Sequence, residues 1–240
     1  NYLIGPEIAL YSSLPQIAIK YGLKLIFWGE NPASVWNDQK TKSKEGYDGN
    51  NLRYSNTLND CKIDWMKGLV EFKSQLIPYK YPSIKEFKKH NLQIVYLSWF
   101  WKNWTFLSNA KYSCLNGLEL KKDKATKTGD LYGITAIDDT WVSVNQMIKY
   151  YKFGFGRVTD YLNFEIRNGN MSRELAIKYA EKYDGQCDQK FINDFCKYIG
   201  ISKMQFNKFM MRIINKKIFD AKIKNRRLIV KKKFEVGKGF

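Results

Sequence analysis

Histidine is almost missing from this chain: among 240 residues there is one, His90. Cysteine is scarce as well, and Cys61, Cys114, Cys187 and Cys196 form no CxxC pair. A closed zinc site is therefore not expected, and reduced, buried thiols are the simpler reading. His90 is flanked by Lys88, Lys89 and Asn91, a solvated setting around which no Ser/His/Asp or Cys/His set assembles. Long apolar runs are lacking too. None reaches the roughly 18 residues of a bilayer span and no signal peptide opens the chain, so a cytoplasmic protein is expected. The Gly-Lys-Ser and GxGxxG spacings are absent, which removes the Walker loop and the dinucleotide fingerprint. The chain starts at Asn1 in mid-pattern, without Met, and is expected to continue upstream.

What is present is a foldable and strongly basic sequence. Hydrophobic residues make up 44%, enough for a sizeable core in one domain or two. The formal charge is +18, which suits an anionic partner: nucleic acid, a phosphorylated small molecule or an acidic membrane. Lysine far outnumbers arginine, and Asn, Ile and Tyr are abundant, a bias that an AT-rich genome alone produces. Charge therefore says little by itself about the partner.

Apolar residues recur at helical spacing over 7–21 around Pro15, and Gly22 supplies a stop. LKLIFWG (23–29) then reads as a strand buried on both faces. Gly29, Glu30, Asn31 and Pro32 follow, with Asn31 suited to an N-cap and Pro32 to the first helical position. In open parallel sheets ligands sit at such strand-to-helix turns, so Glu30 is placed for chemistry. Residues 37–60 are polar and read as an insertion or flexible lid. A helical stretch near 64–72 leads to a second strand at 92–100, LQIVYLSWF. A helix is expected over 141–151, and three more over 172–215, divided by Gly185 and Gly200. Residues 203–240 hold 13 Lys and Arg against 2 acids and read as a short basic tail.

Three constellations carry potential chemistry. Glu30 beside Asn31 can orient a metal-bound nucleotide or hold a sugar hydroxyl; the alternative is an ordinary capped turn. In KFGFGRVTD, Gly154 and Gly156 allow backbone amides to approach a ligand, while Lys152 and Arg157 supply charge for phosphate or carboxylate. Its alternative is a tight turn in which Arg157 pairs with Asp160 or Glu165. The aromatic group at 99–106 either stacks on a base or sugar or belongs to the core, with Lys102 as the ligand contact in the first case. Residues 191–210 have a helix-turn-helix outline, but the second helix carries Met204, Phe206, Phe209 and Met210, leaving few polar side chains to read base edges.

Together, GPEIALYS (5–12), LIFWGENPA (25–33), QIVYLSWFWKNW (93–104), TGDLYGITAID (128–138), MIKYYKFGFGRVTD (147–160) and EIRNGNMSRELAIKYAEKYDG (165–185) resemble the bacterial N-acetyl sugar amidotransferases of surface-polysaccharide biosynthesis, a branch of the PP-loop ATP pyrophosphatases. The resemblance implies an α/β fold: an incomplete doubly wound parallel-sheet nucleotide-binding domain over 1–160, followed by a helical region and basic tail over 161–240. It implies ATP and Mg2+ as cofactors and a nucleotide-linked N-acetyl sugar as substrate. ATP adenylylates an oxygen of the sugar's substituent, and ammonia from a glutaminase and its synthase-like partner displaces AMP to leave an amidine or amide. The family's SGGxDS loop and cysteine-rich segment are absent, so this sequence is similar to the C-terminal part of such an enzyme. Residues 35–38, Val-Trp-Asn-Asp, stand where the family has a glycine. Carried onto this chain, Glu30, Lys152 and Arg157 are the candidate catalytic residues. Gly29, Asn31, Lys102, Asp130, Gly154, Gly156 and Asp160 are the candidates for binding. The alternative is an RNA-binding or tRNA-modifying PP-loop relative that uses the basic C-terminal region.

Overall fold

The computed structural model describes residues 4–32, 39–56, 58, 61–101 and 105–238. The chain divides into two compact units, Asn1–Asn109 and Ala110–Phe240. Sequence reading places the division near 160. The earlier boundary follows from packing within the second unit: Thr135 bonds Tyr161, the Gly156 amide bonds Asp184, and Val144 and Met147 share a core with Phe206 and Met210.

In the first unit, α1 (Ile4–Lys20) precedes β1 (Leu25–Trp28). Gly22 ends the helix in the left-handed region, where glycine has no steric penalty. Pro15 lies inside α1 and is buried. Its missing amide weakens the helix, and tertiary bonds offset the loss: Ser12 Oγ donates to the Tyr79 carbonyl, and Gln16 Nε2 to those of Ile77 and Lys80. After a capping box between Ser83 and Glu86, α2 (Ile84–Lys89) leads into β2 (Gln93–Tyr96). β1 and β2 pair in parallel, from Leu25 opposite Gln93 to Trp28 opposite Tyr96.

Three expectations need correction here. The second strand is four residues long, because Leu97–Trp99 turn into a 3-10 helix. β1 is not buried on both faces: Ile26 and Trp28 turn toward the core, while Leu25 and Phe27 are 47% and 62% exposed. Finally, the described part of the polar segment 37–60 is no lid. Leu52 and Leu58 are fully buried in the core, and residues 47–50 run along the outer edge of β2. There the Gly49 amide donates to the Ile94 carbonyl, the Tyr96 amide to that of Tyr47, and the Ile94 amide to Asn50 Oδ1. A side chain at Gly49 would collide with Ile94, so this close approach needs glycine. Two buried leucines anchor an otherwise polar segment, each contributing about 2 kcal/mol of apolar burial.

Phe106–Leu115 form α3, which spans the division between the units. The second unit then holds α4 (Ala125–Thr128), α5 (Val142–Phe153), α6 (Arg157–Arg167), α7 (Arg173–Tyr183), α8 (Gln189–Tyr198) and α9 (Lys203–Ile213). The last three are the helices expected over 172–215, each N-capped by the side chain of Ser172, Asp188 or Ser202. Val158 and Leu162 of α6 pack on Ala176 and Ala180 of α7, while α5, α8 and α9 share a core around Val144, Phe206 and Met210.

The basic tail is corrected to an antiparallel hairpin of β3 (Phe219–Lys224) and β4 (Arg227–Lys232). Asn225 and Arg226 both have positive φ, as a two-residue hairpin turn requires. Alternation explains why a sequence so rich in lysine folds: Phe219, Ala221, Leu228 and Val230 meet the helical core while Asp220, Lys222, Lys224, Arg227 and Lys231 face outward. All four cysteines are free thiols, although only Cys196 is buried.

Candidate functional site

At the carboxyl end of β1, Gly29 and Glu30 are exposed and Asn31 is buried. Asn31 Nδ2 donates to the Gly46 carbonyl, so its side chain secures the neighbouring loop. Pro32 is helical, and residues 33–38, with the family departure at 35–38, lie outside the described residues. Two groups that sequence reading missed stand beside Glu30. Glu7 and Tyr11, one turn apart on α1, interact electrostatically with it, and the Tyr11 ring lies 5.0 Å from that of Trp28. Glu30 is exposed as a residue, but the protein around its carboxyl partly desolvates it and lifts it above the ordinary glutamate range. Burial and then the charge of Glu30 do the same to Glu7. The Tyr11 phenol is pushed up by burial and by both carboxylates. Their i, i+4 spacing was the available signal, but nothing local says which helix face meets the strand end.

In the second unit the KFGFGRVTD turn is built around Asp184. This buried carboxylate accepts hydrogen bonds from the amides of Gly156 (2.8 Å) and Val158 (3.2 Å) and from Thr159 Oγ1 (2.6 Å). It caps the first turn of α6 from 28 positions away in sequence, and a Cβ on Gly156 would strike its Oδ1. The helix N-terminus that a phosphate would favour is thus occupied by the protein's own anion. Burial raises the Asp184 carboxyl against the opposing effect of these three bonds. Gly154 serves as the left-handed C-cap of α5.

The cations of this motif separate. Lys152 is exposed in the last turn of α5, its ammonium 5.1 Å from the Phe153 ring centroid. Lys149, absent from the sequence reading, pairs with Asp160 at 2.6 Å, and Arg157 stands 4.0 Å from the same carboxylate. The Arg157–Asp160 pairing is the one anticipated for a tight turn. Arg157 also lies 5.8 Å from the Tyr161 ring centroid, and Tyr161 Oη shares a 2.6 Å hydrogen bond with Thr135 Oγ1.

Thr135 belongs to the TGDLYGITAID loop, which Asp130 organises. The buried carboxylate of Asp130 accepts from the amides of Tyr132 and Thr135, and its own amide donates to Thr128 Oγ1. Burial raises the Tyr161 phenol, and the charges of Arg157, Asp130 and Asp160 all act on it. Of the expected site residues, Asp130, Arg157 and Asp160 are therefore gathered around Tyr161, while Gly154 and Gly156 shape the adjoining turn. Lys102 lies outside the described residues.

Arg157 and Lys149 facing Asp160, beside a phenol and a hydroxyl, can position a polar or anionic group by charge-assisted hydrogen bonds. Among the described residues no group of three or more His, Cys, Asp or Glu is arranged to hold a metal ion. No described helix is long and apolar enough to cross a membrane.

Residues 122–233 match the family model of the LPS biosynthesis protein WbpG-like C-terminal domain. The match contains the Asp130 loop, the GFG turn, Asp184 and the hairpin. No curated protein matches the chain.

Proposed function

We propose, because residues 122–233 match the model of the WbpG-like LPS biosynthesis C-terminal domain, that this chain is part of an ATP-dependent amidotransferase acting on a nucleotide-linked N-acetyl sugar. The family match is the observation that carries this reading. The resemblance of residues 5–12, 25–33 and 93–104 extends it to the first unit.

The chemistry makes specific demands. Ammonia cannot expel oxide from an amide, so the oxygen must first become a leaving group. In the proposed reaction that oxygen attacks the α-phosphorus of ATP and pyrophosphate departs; ammonia then adds to the activated carbon and AMP leaves with the oxygen. The turn at Gly154–Gly156 does not offer a triphosphate cradle, since Asp184 holds the amides of Gly156 and Val158 and the Gly154 amide donates to the Tyr150 carbonyl. Triphosphate binding is assigned instead to an SGGxDS loop, which this sequence does not contain. Glu30 at the end of β1, with Glu7 of α1 beside it, suits a nucleotide-bound Mg2+, which takes one or two carboxylates and keeps its phosphate ligands. Arg157, oriented by Asp160, suits an anionic group of the sugar nucleotide.

The bare side of the sheet supports the view of an incomplete α/β domain. Purely parallel sheets are covered on both faces, yet Leu25 and Phe27 are exposed and β1 pairs on one edge only among the described residues. The test incubates the polypeptide, together with any upstream residues its reading frame encodes, with ATP, Mg2+, an ammonium salt and nucleotide-linked N-acetyl sugars. The expected result is AMP and pyrophosphate together with an amidated sugar by mass spectrometry. AMP formation without sugar modification, or no turnover with any such sugar, overturns the proposal.

A further inference from the structure

The hairpin closing the second unit carries more positive charge than its packing requires. Its inner face, with Ala221, Leu228 and Val230, lies on the helical core. Its outer face consists of three cross-strand pairs, all exposed: Asp220 with Lys231, Lys222 with Ile229, and Lys224 with Arg227. Asp220 is the only acid between positions 216 and 233, and Lys233 engages it at 2.8 Å. Among the described residues, no carboxylate forms an ion pair with Lys222, Lys224, Arg227 or Lys231. Directly opposed like charges such as Lys224 and Arg227 destabilise a strand pair, and a bound polyanion would remove that repulsion.

The centre of this face indicates which polyanion. Ile229, 44% exposed, stands across from Lys222 and two positions from both Arg227 and Lys231. The face carries no aromatic ring, and so lacks the stacking surface by which proteins grip single-stranded nucleic acid. An aliphatic side chain ringed by long cationic ones is suited to the headgroup boundary of a bilayer: alkyl stems and isoleucine meet acyl carbon while the charges stay with the phosphates.

We propose that the outer face of the β3–β4 hairpin docks on an anionic lipid bilayer, with Ile229 entering the headgroup boundary and Lys222, Lys224, Arg227 and Lys231 meeting acidic headgroups. The association is peripheral and weakens with salt. It is independent of the amidotransferase reading, since nothing in it uses the sheet or the Asp160 cluster.

Cosedimentation of the full chain with vesicles of phosphatidylglycerol and phosphatidylcholine, against phosphatidylcholine alone, is the test. Binding is expected only to the anionic vesicles. The triple variant K222Q/K224Q/R227Q is expected to bind about 100-fold more weakly. Ile229→Ser, which leaves every charge in place, is expected to lose about tenfold. The substituted side chains are exposed, and circular dichroism checks that the fold is kept. Failure to bind anionic vesicles at low salt, equal binding by the triple variant, or wild-type binding by Ile229→Ser each overturns the proposal. Binding to single-stranded or duplex RNA that is lost in the triple variant but unaffected by Ile229→Ser, without vesicle binding, assigns the face to nucleic acid instead.

Discussion

At the scale of single residues, Asp184 and Glu30 show how one side-chain chemistry serves opposite ends. Asp184 is consumed by structure, holding the first turn of α6 through Gly156, Val158 and Thr159. Asp184→Ala should cost about 2 kcal/mol in denaturant unfolding, with three donors left unsatisfied. Asp184→Asn retains the side-chain volume and one acceptor oxygen and should cost less; equal losses would mean that neither that single acceptor nor the volume contributes. Glu30 is instead held in a form that folding disfavours. Its carboxyl lies above the unfolded value of about 4.3, so the folded state carries a cost that is absent at low pH and complete once the pH passes the raised folded value. Glu30→Gln should therefore raise Tm at pH 7, with the gain fading toward pH 4. A gain that does not change with pH would show that burial of charge is not its cause. Glu30 could be chosen from the sequence because it follows a strand; Glu7 and Tyr11 could not, because their relevance arises only when α1 docks beside that strand end.

At the scale of elements, helices were more legible than strands. The stops at Gly22, Gly185 and Gly200 and the caps at Ser172, Asp188 and Ser202 are local signals, and local signals determine helix ends. In sequence the hairpin looks like a tail because its alternation is hidden by lysine, and because no Gly marks a turn made by Asn225 and Arg226. Arg226 occupies the left-handed region at φ 60, with its carbonyl accepting from Asn207 Nδ2. Arg226→Gly should stabilise the second unit by about 1 kcal/mol in chemical denaturation, by removing the Cβ penalty of that conformation. A loss of stability would mean that the arginine side chain contributes more than its backbone costs. Gly185 presents the opposite case. A methyl group there would overlap the Tyr150 ring in a backbone with φ +75, so Gly185→Ala should destabilise by at least about 2 kcal/mol, measured in the same way.

At the scale of the whole molecule, the first unit displays an α/β pattern with one sheet face bare. Leu25 and Phe27, together with Leu10, Ile17 and Tyr21 on the exposed side of α1, leave apolar side chains in water. Leu25→Thr/Phe27→Thr keeps strand propensity while removing the apolar face, and should reduce concentration-dependent association in analytical ultracentrifugation. Unchanged association would exonerate the sheet face. The sequence by itself determined the helix-rich second half, the parallel strand pair and the likeness to a polysaccharide-biosynthesis family, because periodicity, caps and motif order are properties of neighbouring residues. Tertiary structure alone decided that Asp184 fills the α6 N-terminus, that Lys149 and not Lys152 meets Asp160, and that Tyr161 joins Thr135. Each of those contacts links positions 11 to 28 residues apart through the packing of helices, and no local pattern records which faces of two helices will meet.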